Sequence, residues 1–363
     1  MRVLHGPVNV GNQPWVLSRA ERALGLKSDV VVSYGTWLEY PADRVLTATP
    51  NGGRRNVLAR VRFGLQAAFQ YDVLHYYFGQ SYIYKPGVIH RYNFADLKLA
   101  RRLGRKVFMT LQGCDVRRAG ASNGRNAITM CKSDGCSAYP VCLAQLDATR
   151  KFLSEEILPL CDRVFYLNPE LGHDAGTGTF IPYASCDIDA IAVAQPVVRK
   201  RPVVLHAPSN RAIKGSDMIE AALERLSARF DFDYRPVTGL AHRDAMELYR
   251  DADLVIDQVL AGWYGGFAVE VMAMGKPVAA YIRDEDMAFV PPGMASELPI
   301  LRIDPRTLDA DLTRIFEQRA SWSQTGARSR TFVERWHNPA TVARAFQRCY
   351  TDPKAAFDLQ LGD

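Results

Sequence analysis

The segment His206-Ala-Pro-Ser-Asn210-Arg211-Ala-Ile-Lys214-Gly215-Ser216-Asp217 sets two cations three residues apart beside a glycine. Small residues let backbone amides approach a ligand at a helix start, and two convergent cations hold a pyrophosphate, so the segment reads as an anion site. The competing reading is a solvated loop with two surface charges. A second segment, Gly262-Trp263-Tyr264-Gly265-Gly266-Phe267-Ala268-Val269-Glu270-Val-Met-Ala-Met-Gly275-Lys276-Pro277-Val278, tips the balance toward a ligand. Gly265 and Gly266 stand at another helix start, followed by Phe267. Glu270 lies about one turn deeper, where a carboxylate accepts hydrogen bonds from paired ribose hydroxyls. Its alternative is a helix-surface Glu, although an acid within an apolar run needs a partner if buried.

These residues must be positioned by strand-to-helix turns. Short runs rich in Val, Ile, Leu and Tyr alternate with amphipathic segments of helical period, which specifies parallel sheets covered by helices and an α/β fold class. A first series predicts strands over 3–5, 30–33, 73–77, 107–111 and 164–167, with helices over 15–24, 94–103 and 143–158. After an irregular stretch that closes on Arg199-Lys200-Arg201-Pro202, a second series begins. It predicts strands over 203–206, 232–237, 254–257 and 277–282, and helices over 216–228, 241–250 and 267–274. A last helical pattern covers 340–350. The chain therefore divides into a domain over 1–183, a linker over 184–202, a domain over 203–336 and a terminal helix over 337–363 that packs back toward the first domain. Two doubly wound halves bind ligands at the carboxyl ends of their strands.

At these motifs the chain resembles the retaining glycosyltransferases of the large family four, in the GT-B superfamily. The resemblance implies two Rossmann-like domains facing a central cleft. In that family an Arg and a Lys-Gly pair hold the donor diphosphate, matching Arg211 and Lys214-Gly215 with Asn210 beside them. A Glu before Met-Ala-x-Gly-x-Pro-Val holds the ribose, matching Glu270. Gly265, Gly266 and Phe267 complete the implied donor side. Gly262 stands where the family commonly has a second Glu that contacts the donor sugar; Asp257 or the backbone of the Gly-rich turn are the candidates to replace it.

In the first half, residues 4–13 resemble the family's first strand and its Gly-rich loop, which places Gly11 beneath the reacting sugar and Asn12 toward the acceptor. The dinucleotide-binding Gly spacing is not met there, and a structural turn is the competing explanation. Thr110-Leu111-Gln112-Gly113-Cys114-Asp115 resembles the family's acceptor-side strand end. Asp115 is the first acceptor-side candidate, followed by Gln112 and His75, a lone strand-end His being more often simply hydrogen-bonded. The implied reaction is transfer of a sugar from a UDP- or GDP-sugar to a glycan, glycolipid or related acceptor with retention of configuration. The leaving diphosphate assists deprotonation of the acceptor. No cofactor is required, since Arg211 and Lys214 offset the charge on the diphosphate. The alternatives are a nucleotide-sugar epimerase or hydrolase, and a non-catalytic nucleotide-sugar-binding scaffold, which Gly262 keeps in play.

Composition bounds these readings. The chain has 363 residues, 48% of them hydrophobic and 23% charged, the balance of a globular protein with two cores rather than one. The excess of 45 Lys and Arg over 39 Asp and Glu suits phosphorylated small molecules or an anionic membrane face. Nucleic acid is not an expected partner, because no basic run is interleaved with aromatics and no zinc-finger or RNA-sheet motif occurs. The opening residues do not read as a signal peptide and no segment reads as a membrane span, so the expected location is cytoplasmic, with peripheral contact at the inner membrane surface as an added expectation. Cys131, Cys136 and Cys142, with Cys114 nearby, offer the ligands of a structural zinc or, alternatively, small packing groups in a reduced protein.

Overall fold

The computed structural model describes residues 1–35, 39–49, 53–195, 197, 199–240 and 242–359. They form two compact units. Residues 1–118, 141–187 and 338–359 of the described chain make the first. Its sheet contains seven parallel strands, β1 (Arg2–Gly6), β2 (Lys27–Tyr34), β3 (Arg44–Thr47), β4 (Val73–Tyr77), β5 (Lys106–Leu111), β6 (Arg163–Tyr166) and β7 (Thr179–Phe180). Their order is β3-β2-β1-β4-β5-β6-β7, so the chain reverses its direction of winding between β1 and β4, where His5 lies opposite His75. That is the switch point at which doubly wound sheets bind ligands.

Every residue of β4 is buried, as expected of a strand covered on both faces. The helix Pro339–Thr351 belongs to this unit: its Val342, Phe346 and Tyr350 share a core cluster with Leu17, Phe108 and Phe165. Short strands β3 and β7 and the helix Gly53–Gln70 were not legible as elements in the sequence. The helix expected over 143–158 is broken by two wider π-type turns, Cys142–Leu146 and Leu153–Ile157.

The second unit contains residues 119–140 and 188–337. Its five parallel strands are β8 (Val203–His206), β9 (Asp233–Pro236), β10 (Leu254–Ile256), β11 (Val278–Ala280) and β12 (Leu301–Arg302), in the order β12-β11-β10-β8-β9. Here the winding reverses between β8 and β10, so the turns after these strands meet. The helices Ser216–Leu226 and Leu308–Glu317 cover one face through Ile219, Leu223, Leu312 and Ile315. Asp253 accepts the Val203 amide at 2.8 Å and Asp251 accepts Arg235 at 2.6 Å, so the end of the helix before β10 is tied to β8 and β9. Residue 241, the first of the helix expected over 241–250, lies outside the described residues, and the helix is seen over His242–Asp251.

Residues 119–140, which the sequence reading keeps in the first domain, cluster with the second unit instead. Ile128 enters that unit's core, and its carbonyl accepts Arg283 Nη2 at 2.7 Å. The segment forms no strand, so no sheet ties it to the unit that precedes it in sequence.

Candidate functional site

In the second unit β8 ends on His206, which is fully buried. The Ile256 carbonyl lies 2.8 Å from His206 Nδ1 and can only accept, so Nδ1 carries the proton. Nε2 then accepts from the Ser216 hydroxyl at 2.8 Å. Burial holds the imidazole pKa below its ordinary value, with the Lys214 charge adding to the effect. This buried bond ties the end of β8 to the start of the helix Ser216–Leu226, framing the turn between them.

Within that turn, Asn210 Oδ1 accepts the Ile213 amide at 3.1 Å and caps the short helix Arg211–Lys214. Gly215 follows with φ +73°, and a Cβ there would come within 2.4 Å of Val259 Cγ2. Both the backbone angle and the close approach require glycine.

Lys214 leaves this turn and donates to Asp257 Oδ1 at 2.6 Å, while Asp257 Oδ2 accepts the Gly265 amide at 2.7 Å. Asp257 is fully buried and Lys214 nearly so. One carboxylate thus joins the two Gly-rich turns and fixes the lysine ammonium 3.2 Å from where a Cβ at Gly265 would stand. From sequence, Asp257 stands only as a candidate for the sugar-contacting acid that Gly262 does not supply; its place at the carboxyl end of β10 is the available signal for this linking role.

Arg211 is arranged differently. Its guanidinium is half exposed and donates to Asp217 at 2.7 Å and to both oxygens of Glu220, at 2.9 and 2.6 Å. Those contacts hold Glu220 below the usual carboxylate range, the Arg211 bond being the main cause. Such solvent-facing pairs contribute little and exchange easily for a better anion. The structure therefore presents one cation locked in place and another held by exchangeable partners.

The helix Gly266–Ala273 starts directly after Gly265 and buries Ala268, Val269, Val271 and Met272, leaving Glu270 half-buried about one turn in. Phe267 packs edge-on against Tyr249, 4.8 Å between centroids. Gly262 adopts φ +77°, and a Cβ there would meet Arg283 Nη1 at 2.7 Å. Arg283 is itself buried, pairing with Asp286 at 2.7 Å. Gly262 is thus a backbone requirement of this turn, with no room for a larger side chain.

In the first unit, Gly11 and Asn12 both take left-handed φ angles, +63° and +59°, as the chain turns from β1 into the helix Gln13–Ala23. Gln112 Nε2 donates to the Val10 carbonyl at 3.0 Å, so the β5 end and the β1 loop are joined. Asn12 Nδ2 donates to the Ser185 carbonyl at 3.4 Å. Asp115 accepts the amides of Gln112 at 3.0 Å and Gly113 at 2.6 Å. Burial raises its carboxyl pKa, against the pull of those amides.

Asp115 also lines a cavity of 260 Å³ with Tyr84, Asn93, Phe94, Arg150 and Leu153. Arg150 is set by its own bonds to the Cys114 carbonyl at 2.8 Å and to Asp147 at 2.9 Å. Gly79 is needed where the cavity wall turns, because a Cβ there would meet Leu153 Cδ2 at 2.7 Å.

His75 does not join this group. It is buried, with Tyr350 Oη 2.7 Å from Nδ1 and Thr110 Oγ1 2.7 Å from Nε2, and it stacks on Tyr77. Burial, then the neighbouring His5, holds its pKa well below the ordinary value. Both ring nitrogens are engaged in the core, so His75 has none to offer an acceptor. None of the seven cysteines forms a disulfide. Among the described residues no group of three or more His, Cys, Asp or Glu is placed so that it could hold a metal ion.

No protein-family model and no curated protein sequence matches the chain. Solved structures do. Sucrose-phosphate synthase from Thermosynechococcus elongatus has a TM-score of 0.61 at 16% identity, over 97% of this chain and 98% of that one. Anabaena HepE, solved in complex with UDP-glucose, has a TM-score of 0.58 at 12% identity, over 96% and 98%. The UDP-GlcNAc 2-epimerase of Neisseria meningitidis, bound to UDP-GlcNAc, has a TM-score of 0.52 at 12% identity, over 96% and 99%. The fold is GT-B, built of two Rossmann-like domains with parallel sheets.

Proposed function

We propose that the protein is a glycosyltransferase that takes a sugar from a nucleotide diphosphate donor, a UDP- or GDP-sugar, to a glycan, glycolipid or related acceptor with retention of configuration. The observation that carries this reading is the Lys214–Asp257–Gly265 junction at the carboxyl ends of β8 and β10. It supplies a fixed ammonium beside a glycine turn and a helix start, which is what a diphosphate requires. Arg211 exchanges Asp217 and Glu220 for the diphosphate, and Glu270 receives the ribose hydroxyls.

No enzymic nucleophile takes part in this reading. The leaving diphosphate takes up the acceptor proton, and Lys214 and Arg211 stabilise the charge that grows on it. Asp115, on the wall of the first unit's cavity, accepts a hydrogen bond from an acceptor hydroxyl and orients it. The protein works at the cytoplasmic face of a membrane if its acceptor is lipid-linked.

A second reading, a nucleotide-sugar epimerase, is favoured by the likeness to the meningococcal epimerase. The two are separated by incubating the protein with radiolabelled UDP- and GDP-sugars, with and without glycan and glycolipid acceptors. Label that reaches an acceptor, and moves only when one is present, supports transfer. Conversion of the sugar without an acceptor supports the epimerase and sinks the transferase reading.

A further inference from the structure

The helix Gly53–Gln70 carries Arg54, Arg55, Arg60 and Arg62 and no acidic residue. One of its faces fixes it in the first unit. Phe63, Gly64, Ala67 and Ala68 are buried, and Gly64 lies so close to its neighbours that a Cβ would come within 2.9 Å of Tyr82 Cβ. The other face is unusual for a soluble surface: Leu58 is 66% exposed and Phe69 63%, with Leu65 also exposed between them. Positions 55, 58, 62, 65 and 69 recur at alternating intervals of three and four, so Arg55, Leu58, Arg62, Leu65 and Phe69 share one stripe.

Many exposed arginines elsewhere in the chain are held by carboxylates. Arg225, Arg229 and Arg306, for example, pair with Asp309, Glu317 and Asp304. Among the described residues no acid pairs with Arg54, Arg55, Arg60 or Arg62.

A surface that matches this stripe must be anionic and must also receive apolar side chains. Nucleic acid would engage the arginines and leave Leu58 and Phe69 in water, whereas an apolar protein groove would strand the arginines. An anionic bilayer satisfies both, with headgroups at the guanidinium level and acyl chains just below. No helix among the described residues is long and apolar enough to cross a membrane, so contact of this kind lies along the surface.

We propose that the outward face of the helix Gly53–Gln70 docks on an anionic lipid bilayer, with Arg55 and Arg62 among the headgroups and Leu58, Leu65 and Phe69 at the acyl boundary. The proposal goes beyond the nucleotide-sugar reading and is tested without any nucleotide, so either can fail alone.

The experiment is flotation of the full chain with phosphatidylcholine vesicles, with and without phosphatidylglycerol. The protein should float with the anionic vesicles only, and less in high salt. Each arginine near the surface strengthens binding about fivefold, so Arg55→Gln with Arg62→Gln should weaken it about 25-fold. Leu58→Ser with Phe69→Ser should abolish flotation although every charge is kept, and all four changes lie at exposed positions that should leave the melting temperature unchanged. Equal flotation on neutral vesicles would overturn the proposal. Failure to float with either kind would also overturn it and leave the face to a protein partner.

Discussion

The Lys214 ammonium and the buried Asp257 carboxylate stand 2.6 Å apart, and the second oxygen of Asp257 holds the Gly265 amide. This pair decides what each turn can do. Asp257 aims the lysine and sets the start of the helix Gly266–Ala273, so the cation and the helix amides are fixed before any ligand arrives.

Replacing Lys214 with Ala should therefore cost stability as well as ligand binding. Asp257 is fully buried, and removing its cation leaves a carboxylate with the Gly265 amide alone. Loss of one partner from a buried pair costs about 3–5 kcal/mol. Urea denaturation measures this, and a loss below about 1 kcal/mol would show that the pair behaves as an exposed one.

Placing an acid at Gly262 should fail. The left-handed backbone alone costs a side-chain-bearing residue about 1–2 kcal/mol. A Cβ 2.7 Å from Arg283 Nη1 must also displace the buried Arg283–Asp286 pair. Gly262→Glu should lose about 3 kcal/mol or more in total, read by the denaturation midpoint. An unchanged midpoint would mean that Arg283 yields freely and that glycine at this position is not a structural requirement.

Two buried histidines should make the protein sensitive to mild acid. Burial depresses the folded pKa of both His75 and His206 below the ordinary 6.5. Below that value the unfolded chain binds protons that the folded chain refuses, so stability falls as pH drops from about 7 toward 5, by up to about 1.4 kcal/mol per unit for each histidine. The stability difference between pH 7 and pH 5.5 should shrink in His206→Gln and in His75→Gln. An identical difference in both variants would remove the histidines as its source.

Much of this architecture was legible because buried parallel strands are written as apolar runs: β4 and β8 lie where the pattern put them. The edge strands β3 and β7 were not, since β3 buries only the last of its four residues and so shows no buried apolar run, and β7 has two residues. The helix Gly53–Gln70 hid for another reason. Its outward stripe carries Leu58, Leu65 and Phe69 beside its arginines, which blurs the contrast between faces that marks a helix.

The Gly-rich turns were legible as motifs, because Gly215 and Gly262 answer to local backbone geometry. The partner of Lys214 was not, because Asp257 lies 43 residues away and only sheet order brings β8 beside β10. The partner of His75 was hidden for a related reason. Nothing in its own segment announces Tyr350, which arrives from the last helix to occupy its Nδ1.

The central claim is that the second unit binds a nucleotide diphosphate through Lys214, Arg211 and Glu270. Calorimetric titration with UDP, GDP and ADP tests it most directly, with Lys214→Ala, Arg211→Ala and Glu270→Ala alongside. Arg211 sits in exchangeable surface pairs, so its loss should leave the melting temperature nearly unchanged while weakening binding by tenfold or more, as expected when a hydrogen bond to a charged group is removed. One nucleotide should bind the wild-type chain, and its binding should be weakened in all three variants. Absence of binding to folded wild-type protein, or equal binding in the folded Arg211 and Glu270 variants, would contradict it.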